Sequence, residues 1–416
     1  MKDTAKRETF EEEGTLPLRL VDVVRADLRA FVTRTGMEAL AAMLEEDRAS
    51  LCGPRYEHDA ERTCSRAGYA PGELVMGGRR VSVTRPRVRD RGGREVPLAS
   101  WRAFRDEDPL DERALRQMLL GVSTRKYARS LEPLSAELLE RGTSKSAVSR
   151  RFVEVTSKKV DEWFARPLES IDPVAILIDG IHVDDHVFLV ALGIDIEGKK
   201  HVLGVREGAT ENATCCRELL CDLRERGLSS DKQTLFVLDG AKALARAVRD
   251  VFGARARIQR CQVHKMRNVV DQLPESMRVS VRASMRQAYR LSNADKAKQH
   301  LLNLARRLRD AHPAAAASIE EGLDETLTVK RLALPSQLER ILSTTNAIEN
   351  LMGSVRDRTR RVKKWKDARM MLRWIATALE DASTRFRCVM GHAGMRDLAV
   401  ALRTLTNPVA DESSAA

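Results

Sequence analysis

The sequence predicts an α/β protein in which a sheet-forming core follows a mainly helical region and is interrupted by a long helical segment. Two short apolar runs end in Asp-Gly, at Asp179 and Asp239, as buried parallel strands do when a charged residue terminates them. Strand and helix patterns alternate between residues 171 and 261, and helical periodicity dominates before and after that range. The carboxylates at the strand ends mark the edge where open α/β sheets place ligand sites.

Length and charge limit the class of protein. The 416 residues can bury a large core and predict two or three domains. Lys and Arg number 72 against 60 Asp and Glu, a formal net charge of +12, which favours a polyanionic partner. Many basic proteins bind no nucleic acid, so the charge alone leaves the partner open.

The sequence also limits the compartment. It contains no run of about 18 apolar residues and begins with polar residues, so we expect no membrane span and a cytoplasmic location. Its seven cysteines are scattered and form no CxxC pair. They therefore predict a reducing compartment.

The first 165 residues predict helices, one hairpin and a basic surface. Residues 1–15 predict a loose tail, residues 16–51 amphipathic helices and residues 52–72 a loop. Two strands around a Gly-Gly turn are predicted next, over residues 74–84 and onward to residue 91. The hairpin carries Arg79, Arg80, Arg85, Arg87 and Arg89. A solvated face explains these arginines as well as phosphate contact does.

Residues 110–155 predict a helix-turn-helix. A glycine turn with a Ser or Thr N-cap opens a second helix, and its polar face offers Lys145, Ser146, Ser149 and Arg150. Side chains of these types contact phosphates and base edges in a major groove. We expect Lys145, Ser149 and Arg150 to bind DNA, with an ordinary capped surface helix as the alternative.

From residue 171 the element order predicts a ribonuclease-H-like domain. Strands are predicted at 174–178, 186–194 and 201–206, followed by a helix at 212–226, a strand at 235–238, a helix at 241–252 and a strand at 256–260. In that fold the first and fourth strands are adjacent and parallel, so Asp179 and Asp239 would lie side by side. Such a pair of carboxylates favours a divalent metal.

A third acidic ligand is expected from a helix packed on the sheet. Residues 265–342 are helical almost throughout and predict an all-helical insertion. Ser343, Thr344, Thr345 and Asn346 then offer N-cap residues for a helix with Glu349 in its first turns. Glu349 is the predicted third ligand.

Five motifs in order resemble the Mutator-like family of bacterial insertion-sequence transposases. They are IDGIH (178–182), REGATEN (206–212), LDG (238–240), RCQVHK (260–265) and TTNAIEN (344–350). The resemblance covers most of the chain, to about residue 395. One small departure is Ala347, where proline is expected in many relatives.

The resemblance implies a function and a site. Asp179, Asp239 and Glu349 would be the acidic triad of a DDE transposase, and Cys261 with His264 would form the family's Cys-x-x-His signature. The triad would hold Mg²⁺, with Mn²⁺ as an alternative, for strand cleavage and strand transfer by a two-metal mechanism. The implied partners are double-stranded DNA, as transposon ends and target, and further copies of the chain in a dimer or larger oligomer.

The predicted regions follow from these elements. They are a helical region (1–72), a DNA-binding region (73–165), the first part of the core (166–264), the insertion (265–342), the core completion with the Glu349 helix and a basic helix (343–395), and a C-terminal tail (396–416).

Several other motifs in the sequence allow more than one interpretation. Residues 193–200 nearly match a phosphate-binding P-loop, but Lys200 replaces the required Ser or Thr and no helix is predicted to follow. No second Cys/His pair accompanies Cys261 and His264 at a zinc-ligand spacing, so we expect Cys261 to pack and His264 to act beside the acids as a catalytic residue. His182 and His186 could be functional or ordinary exposed histidines.

A run of basic residues follows the motif that contains Glu349. Residues 356–369 hold eight Lys and Arg residues around Trp365 and are predicted to continue the Glu349 helix. We expect Arg360, Arg361, Lys363 and Lys364 to bind the DNA backbone, with a solvated face as the alternative. Trp365 would be a core residue or would stack on a base.

Two other functions remain open. The chain could be a non-catalytic, repressor-like DNA-binding protein derived from a transposase, or a structure-specific nuclease on the same fold.

Overall fold

A computed structural model describes residues 18–57, 61–76, 79–106, 110–127, 130, 140–141, 144–210 and 212–404. The chain divides into two compact units, Met1–Val155 and Thr156–Ala416. Among the described helices, none combines the length and apolar character needed to cross a membrane. The mixed α/β class predicted from the sequence is confirmed.

The N-terminal unit combines helices with a small antiparallel sheet. Its elements are α1 (Leu18–Cys52), β1 (Cys64–Met76), β2 (Arg79–Asp90), β3 (Glu95–Val96), α2 (Ala99–Asp106), α3 (Leu110–Leu119) and β4 (Glu140–Arg141). The sheet runs β1-β2-β3, with β4 also paired to β2. The predicted hairpin is confirmed, and its Gly-Gly turn lies outside the described residues. A cluster that includes Leu44, Val88, Leu98 and Trp101 forms the core of this unit.

The loop predicted over residues 52–72 is partly wrong, because β1 already begins at Cys64. Pro71 and Gly72 suggest a loop, yet both lie in β1, which among the described strands pairs only with β2. An edge strand tolerates proline, since its outer N–H groups need no partner. Gly72 is required by packing, because a Cβ there would lie 2.6 Å from the Trp101 ring.

The helix predicted to carry Lys145, Ser149 and Arg150 is present as α4 (Lys145–Ala165). Its N-cap is confirmed, since Ser144 Oγ accepts a hydrogen bond from Ala147 N (3.2 Å). Residues 128–129, 131–139 and 142–143, which hold part of the predicted helix-turn-helix including its glycine turn, lie outside the described residues. The helix-turn-helix therefore stays a prediction.

The second unit is built on a five-stranded sheet. Its strands are β5 (Pro173–Val183), β6 (His186–Asp195), β7 (Lys200–Glu207), β8 (Thr234–Leu238) and β9 (Ala256–Arg260), in the spatial order β7-β6-β5-β8-β9. β5, β6 and β7 form the predicted antiparallel meander. β8 pairs parallel to β5 and to β9. The predicted adjacency of the first and fourth strands is confirmed.

Side-chain alternation along the strands separates two cores, one on each face of the sheet. Ile176 and Ile178 pack with helices α5 (Ala213–Glu225) and α6 (Lys242–Phe252). Ala175, Leu177 and Ile181 face the opposite side. That second core is completed by α12 (Ser336–Leu342), α13 (Asn346–Thr359), α14 (Ala368–Ser383) and α15 (Met395–Thr404).

The predicted insertion is helical, and it has a core of its own. Its helices are α7 (Gln262–Asp271), α8 (Glu275–Arg290), α9 (Ala294–Leu308), α10 (Pro313–Glu320) and α11 (Thr328–Arg331), and α12 leads back to the sheet. Apolar residues of α7 to α10 form a separate cluster, which includes Val281, Met285, Leu301 and Ile319. The insertion therefore forms a packed helical body joined to the sheet after β9.

The predicted basic helix is wrong. Helix α13 ends at Thr359, residues 360–367 form a loop, and α14 begins after Asp367, whose side chain accepts from Met370 N (2.7 Å). A continued helix would bring like charges of this run together at three- and four-residue spacings, and such pairs destabilise helices. The predicted C-terminal tail also differs, because residues 396–404 lie in α15.

Candidate active site

Two carboxylates lie at matching positions on the central pair of strands. Ile178 and Leu238 form the last pair of the parallel ladder between β5 and β8, and Asp179 and Asp239 follow them. Each carboxylate accepts from a nearby backbone N–H: Asp179 Oδ1 from Gly180 N (2.8 Å), and Asp239 Oδ1 from Ala241 N (2.9 Å).

Helix α13 brings Glu349 to the same region. Asp179 alternates with Leu177 and Ile181, so it belongs to the sheet face on which α13 packs. Ile348, Leu351, Met352 and Val355 anchor α13 in that core. Glu349 stands in the first turn of the helix, with its side chain 36% exposed.

The electrostatics of Asp179 reflect these neighbours. Burial raises its pKa to about 6, and the negative charges of Asp239 and Glu349 act in the same direction. The Gly180 N–H and His264 oppose the increase. A half-buried carboxylate with acidic neighbours is an unfavourable arrangement that a bound cation would relieve.

The donor set has the chemistry that Mg²⁺ prefers, since all three side chains present carboxylate oxygens. As the side chains stand, however, no three His, Cys, Asp or Glu groups within the described residues converge closely enough to form a ligand set. The residue types themselves fit a hard divalent cation.

His264 lies beside Glu349. It is on α7, one turn after Cys261, and its Nε2 is 3.9 Å from Glu349 Oε1. A hydrogen bond with Cys261 is the main reason that the pKa of His264 is raised, and the charges of Asp179 and Glu349 add to the increase. The imidazole therefore has a greater tendency than usual to be protonated where it faces the acids.

Cys261 is fully buried at the end of β9, where its sulfur meets two groups of Thr345. Thr345 N donates to Cys261 Sγ (3.4 Å), and Thr345 Oγ1 lies 3.3 Å from the same sulfur. Burial acts to raise the pKa of Cys261, but hydrogen bonds with His264 and Thr345 outweigh it, and the pKa is lowered. The expectation that Cys261 packs at the strand end is confirmed.

Thr345 is the residue that sequence reasoning missed. The sequence predicts it only as an N-cap candidate, yet its side chain makes no cap hydrogen bond. Its hydroxyl instead donates to Glu349 Oε1 (2.8 Å) and lies 3.3 Å from His264 Nδ1. The hydroxyl has a single proton, and the Glu349 carboxylate, which can only accept, is its nearest acceptor. The one sequence signal was the polar run Ser343 to Asn346 directly before Glu349.

A buried arginine supports the turn after Asp239. Gly240 has a φ of +108°, and a Cβ there would lie 2.1 Å from Arg260 Nε. Arg260 is itself held by the backbone and side chain of Glu321, both at 3.3 Å. Glycine is needed at this position both for its backbone conformation and for the close approach of Arg260.

The predicted DNA-binding residues lie on two separate elements. Lys145, Ser149 and Arg150 are exposed on α4. Arg360, Arg361, Lys363 and Lys364 are exposed in the loop between α13 and α14. Their roles stay predictions.

The structure also shows the surroundings of several residues whose roles the sequence leaves open. Arg85 and Arg87 both form ion pairs with Glu95 at 2.8 Å, which favours a structural role for these two hairpin arginines. His186 pairs with Glu207 at 2.6 Å, and His182 is exposed. The segment that nearly matches a P-loop is the β6–β7 turn, in which Asp195 Oδ1 accepts from the N–H groups of Glu197 and Lys199 (both 2.9 Å).

Comparison with known proteins identifies relatives along most of the chain. The family model described as "Transposase, Mutator family" matches residues 17–388. The transposase for insertion sequence element IS6120 of Mycolicibacterium smegmatis is 30% identical over 65% of this chain and 83% of that protein. The transposase for ISRM5 of Rhizobium meliloti is 29% identical over 85% of this chain and 87% of that protein. The transposase for IS1081 of Mycobacterium tuberculosis is 26% identical over 93% of this chain and 91% of that protein.

Proposed function

This chain belongs to the Mutator family of transposases, and we propose that it binds the terminal inverted repeats of an insertion sequence and catalyses Mg²⁺-dependent DNA strand cleavage and strand transfer. The proposed catalytic core is ribonuclease-H-like. The observation that carries the proposal is the parallel pairing of β5 with β8, because it brings Asp179 and Asp239 to equivalent positions on the face where α13 carries Glu349.

Asp179, Asp239 and Glu349 are the proposed ligands of Mg²⁺, with Mn²⁺ as an alternative. When bound, two such ions would stabilise the charge that develops on the attacking and leaving oxygens of a phosphoryl transfer. The carboxylates would hold the ions, and the buried position of Asp179 would exclude part of the surrounding water. His264, beside Glu349, would help to hold that carboxylate through its positive charge.

The proposed reaction consists of two displacements at phosphorus. Water first attacks the phosphorus at the end of the element, and the bond to the 3′ oxygen breaks, so that this oxygen leaves as a 3′-hydroxyl. The 3′-hydroxyl oxygen then attacks a phosphorus of the target DNA, and the target's own 3′ oxygen leaves. Neither step requires a covalent bond to the protein.

DNA binding is proposed for two basic surfaces. Lys145, Ser149 and Arg150 of α4 would contact the inverted repeat, and the exposed cations of residues 360–364 would contact the backbone. Two ends must be brought together for transposition, so a dimer or larger oligomer on DNA is proposed. The proposed location is the bacterial cytoplasm.

Asp239→Asn tests the catalytic assignment. We expect it to lower Mg²⁺-dependent nicking and joining of labelled element ends by roughly 100-fold or more, since loss of a metal ligand should exceed the effect of losing a supporting residue. Asp250→Asn is the matched control, because it removes one negative charge from an exposed position on the neighbouring helix α6.

Three outcomes separate the candidate functions. Equal activity of Asp239→Asn and wild type contradicts the site. Binding of ends by wild type without any nicking in Mg²⁺ or Mn²⁺ supports the repressor-like alternative. Cleavage without strand-transfer products supports the nuclease alternative.

A further inference from the structure

Helix α8 of the insertion carries a regular row of arginines. Its sequence repeats an apolar residue followed directly by arginine four times, at Met277-Arg278, Val281-Arg282, Met285-Arg286 and Tyr289-Arg290. Residues four apart lie on one side of a helix, so the repeat produces two neighbouring rows, one apolar and one basic. We call Arg278, Arg282, Arg286 and Arg290 the α8 arginine row.

The apolar row explains where the basic row lies. Val281, Met285 and Tyr289 are buried in the core of the insertion, and Met277 packs against it. The arginines, one position further around the helix, therefore lie along the outer margin of that core. Arg286 and Arg290 are exposed, and Arg278 and Arg282 are partly exposed.

Acidic residues do not neutralise this row. Helix α8 has four arginines against one acidic residue, Glu275 in its first turn. Within the described residues, no ion pair is found for Arg282, Arg286 or Arg290. Two acidic groups elsewhere in the insertion pair with other cations: Glu320 with Arg309, and Asp324 with Lys298 (2.9 Å) and Arg331.

A surface hollow adjoins the end of the row. It has a volume of about 420 Å³ and is lined by Ala283, Arg286, Gln287, Arg290 and Leu291. Two guanidinium groups and an amide around one hollow supply several donors, which suits phosphate oxygens. The hollow therefore has donors suited to a phosphate group, and it lies at the end of a longer basic row.

The length of the row suits a polymer with regularly spaced phosphates. At about 1.5 Å of rise per residue, Arg278 and Arg290 are about 18 Å apart along the helix axis. Each strand of duplex DNA advances about 3.4 Å per nucleotide, so the row can run beside about five nucleotides. A single small anion would use only part of such a surface.

We propose that the α8 arginine row is a further DNA-binding surface, which grips the phosphate backbone of duplex DNA through Arg282, Arg286 and Arg290. The inference rests on the proposed DNA transposase function and adds the helical insertion to its DNA-binding elements. Contacts of this kind hold DNA in position without reading its sequence. The insertion would thereby contribute affinity to complexes with both element ends and target DNA.

Arg286→Gln/Arg290→Gln tests the proposal in the full-length chain. Glutamine keeps good helix propensity and removes the two charges that line the hollow. The probe is a labelled linear duplex, and binding is measured without divalent metal at a series of salt concentrations. We expect roughly tenfold weaker binding and a slope of log affinity against log salt that is shallower by about 1.8, because each lost phosphate contact accounts for about 0.9.

Two further variants make the result specific. Arg396→Gln/Arg403→Gln removes the same charge from exposed positions on α15, and we expect it to leave the slope near the wild-type value. Arg286→Lys/Arg290→Lys should restore the slope, because the slope counts phosphate neutralisation and lysine retains the charge.

The outcomes distinguish this inference from the proposed function. A wild-type chain that fails to bind duplex DNA contradicts both. If wild type binds but the α8 variant keeps the wild-type slope, or if the α15 variant loses as much as the α8 variant, the α8 arginine row is not a DNA-binding surface. The proposed function is unaffected by that result.

Discussion

At the scale of single residues, Thr345 links the Cys-x-x-His segment to Glu349. Its backbone N–H reaches Cys261 Sγ, and its hydroxyl donates to Glu349 Oε1 beside His264. The two motifs are separated by about eighty residues of sequence, most of them in the insertion. Cys261 and His264 therefore both contact Thr345, and Thr345 in turn contacts the carboxylate of α13.

Thr345→Val should lower catalysis by an effect on Glu349. Valine keeps the shape of threonine but cannot donate to the carboxylate, so we expect strand cleavage to fall roughly 10- to 100-fold, as it does when groups that orient a metal ligand are lost. The concentration of Mg²⁺ needed for half-maximal rate should rise, while affinity for element DNA should stay near the wild-type value. The measurement is the cleavage rate against Mg²⁺ concentration.

Thr345→Ser is the matched control for that variant. It restores the hydroxyl, so rate and Mg²⁺ dependence should return close to those of wild type. If valine lowers the melting temperature but leaves the Mg²⁺ dependence of the folded protein unchanged, Thr345 is only a structural residue. Equal loss in the serine and valine variants also contradicts a role for the hydroxyl.

Ionised Asp179 should lower the free energy of unfolding of the metal-free chain. Its pKa rises from 3.8 to about 6 in the folded chain, chiefly because of burial. The folded state then binds the proton more tightly than the unfolded state, so the free energy of unfolding falls as pH rises from about 4 to about 6, by up to about 3 kcal/mol. Above that range the penalty is fully present.

Asp179→Asn should therefore stabilise the metal-free protein near neutral pH and abolish strand cleavage. We expect a gain of about 1–3 kcal/mol near pH 7 that disappears near pH 4, measured by urea unfolding at both values. Asp185→Asn, on the exposed turn between β5 and β6, is the control and should change little. A metal-free Asp179→Asn protein that is less stable than wild type near pH 7 contradicts the argument.

At the scale of elements, the strands of the second unit agree best with the prediction from the sequence. A run of apolar residues ending in a carboxylate identified β5 and β8, and the short turns between β5, β6 and β7 identified the meander. These signals are local, because alternation along a strand and the length of a turn depend on neighbouring residues. Helix α5 also begins one residue after its predicted start, because Asn212 caps it: Asn212 Oδ1 accepts from Thr214 N and Cys215 N.

Other elements differ from their prediction, because local composition determines secondary structure less strongly than packing does. Pro71 and Gly72 suggested a loop, yet pairing with β2 and contact with Trp101 make that segment a strand. The basic run after Glu349 suggested a longer helix, yet the helix ends at Thr359 and Asp367 caps the next one. The first outcome depends on partners outside the local sequence window, whereas the second follows from like charges within the run and from the Asp367 cap.

At the scale of the whole molecule, each of the two units has a hydrophobic core. The N-terminal cluster includes Leu44, Leu98 and Trp101, and the second unit has two sheet cores and the insertion core. Units with separate cores can unfold in separate transitions. We therefore expect calorimetry to resolve more than one transition for the intact chain.

Trp101→Ala should shift only the transition of the N-terminal unit. Removing this buried side chain should cost about 3–5 kcal/mol, because the space it fills between β1 and α2 cannot close fully. Leu301→Ala, in the core of the insertion, should cost about 2–5 kcal/mol and shift only a transition of the second unit. A single transition that both variants lower equally would show that the units unfold together.

The sequence by itself determined the class of the fold, the order of strands and helices around Asp179 and Asp239, and the helical insertion that precedes Glu349. These features follow from burial periodicity and turn residues, which neighbouring positions encode. Only the tertiary structure revealed that Thr345 joins Cys261 to Glu349, that Glu95 pairs with two hairpin arginines and that Arg260 packs under Gly240. Such contacts join residues far apart in the chain, and their geometry arises only when helices and strands pack together.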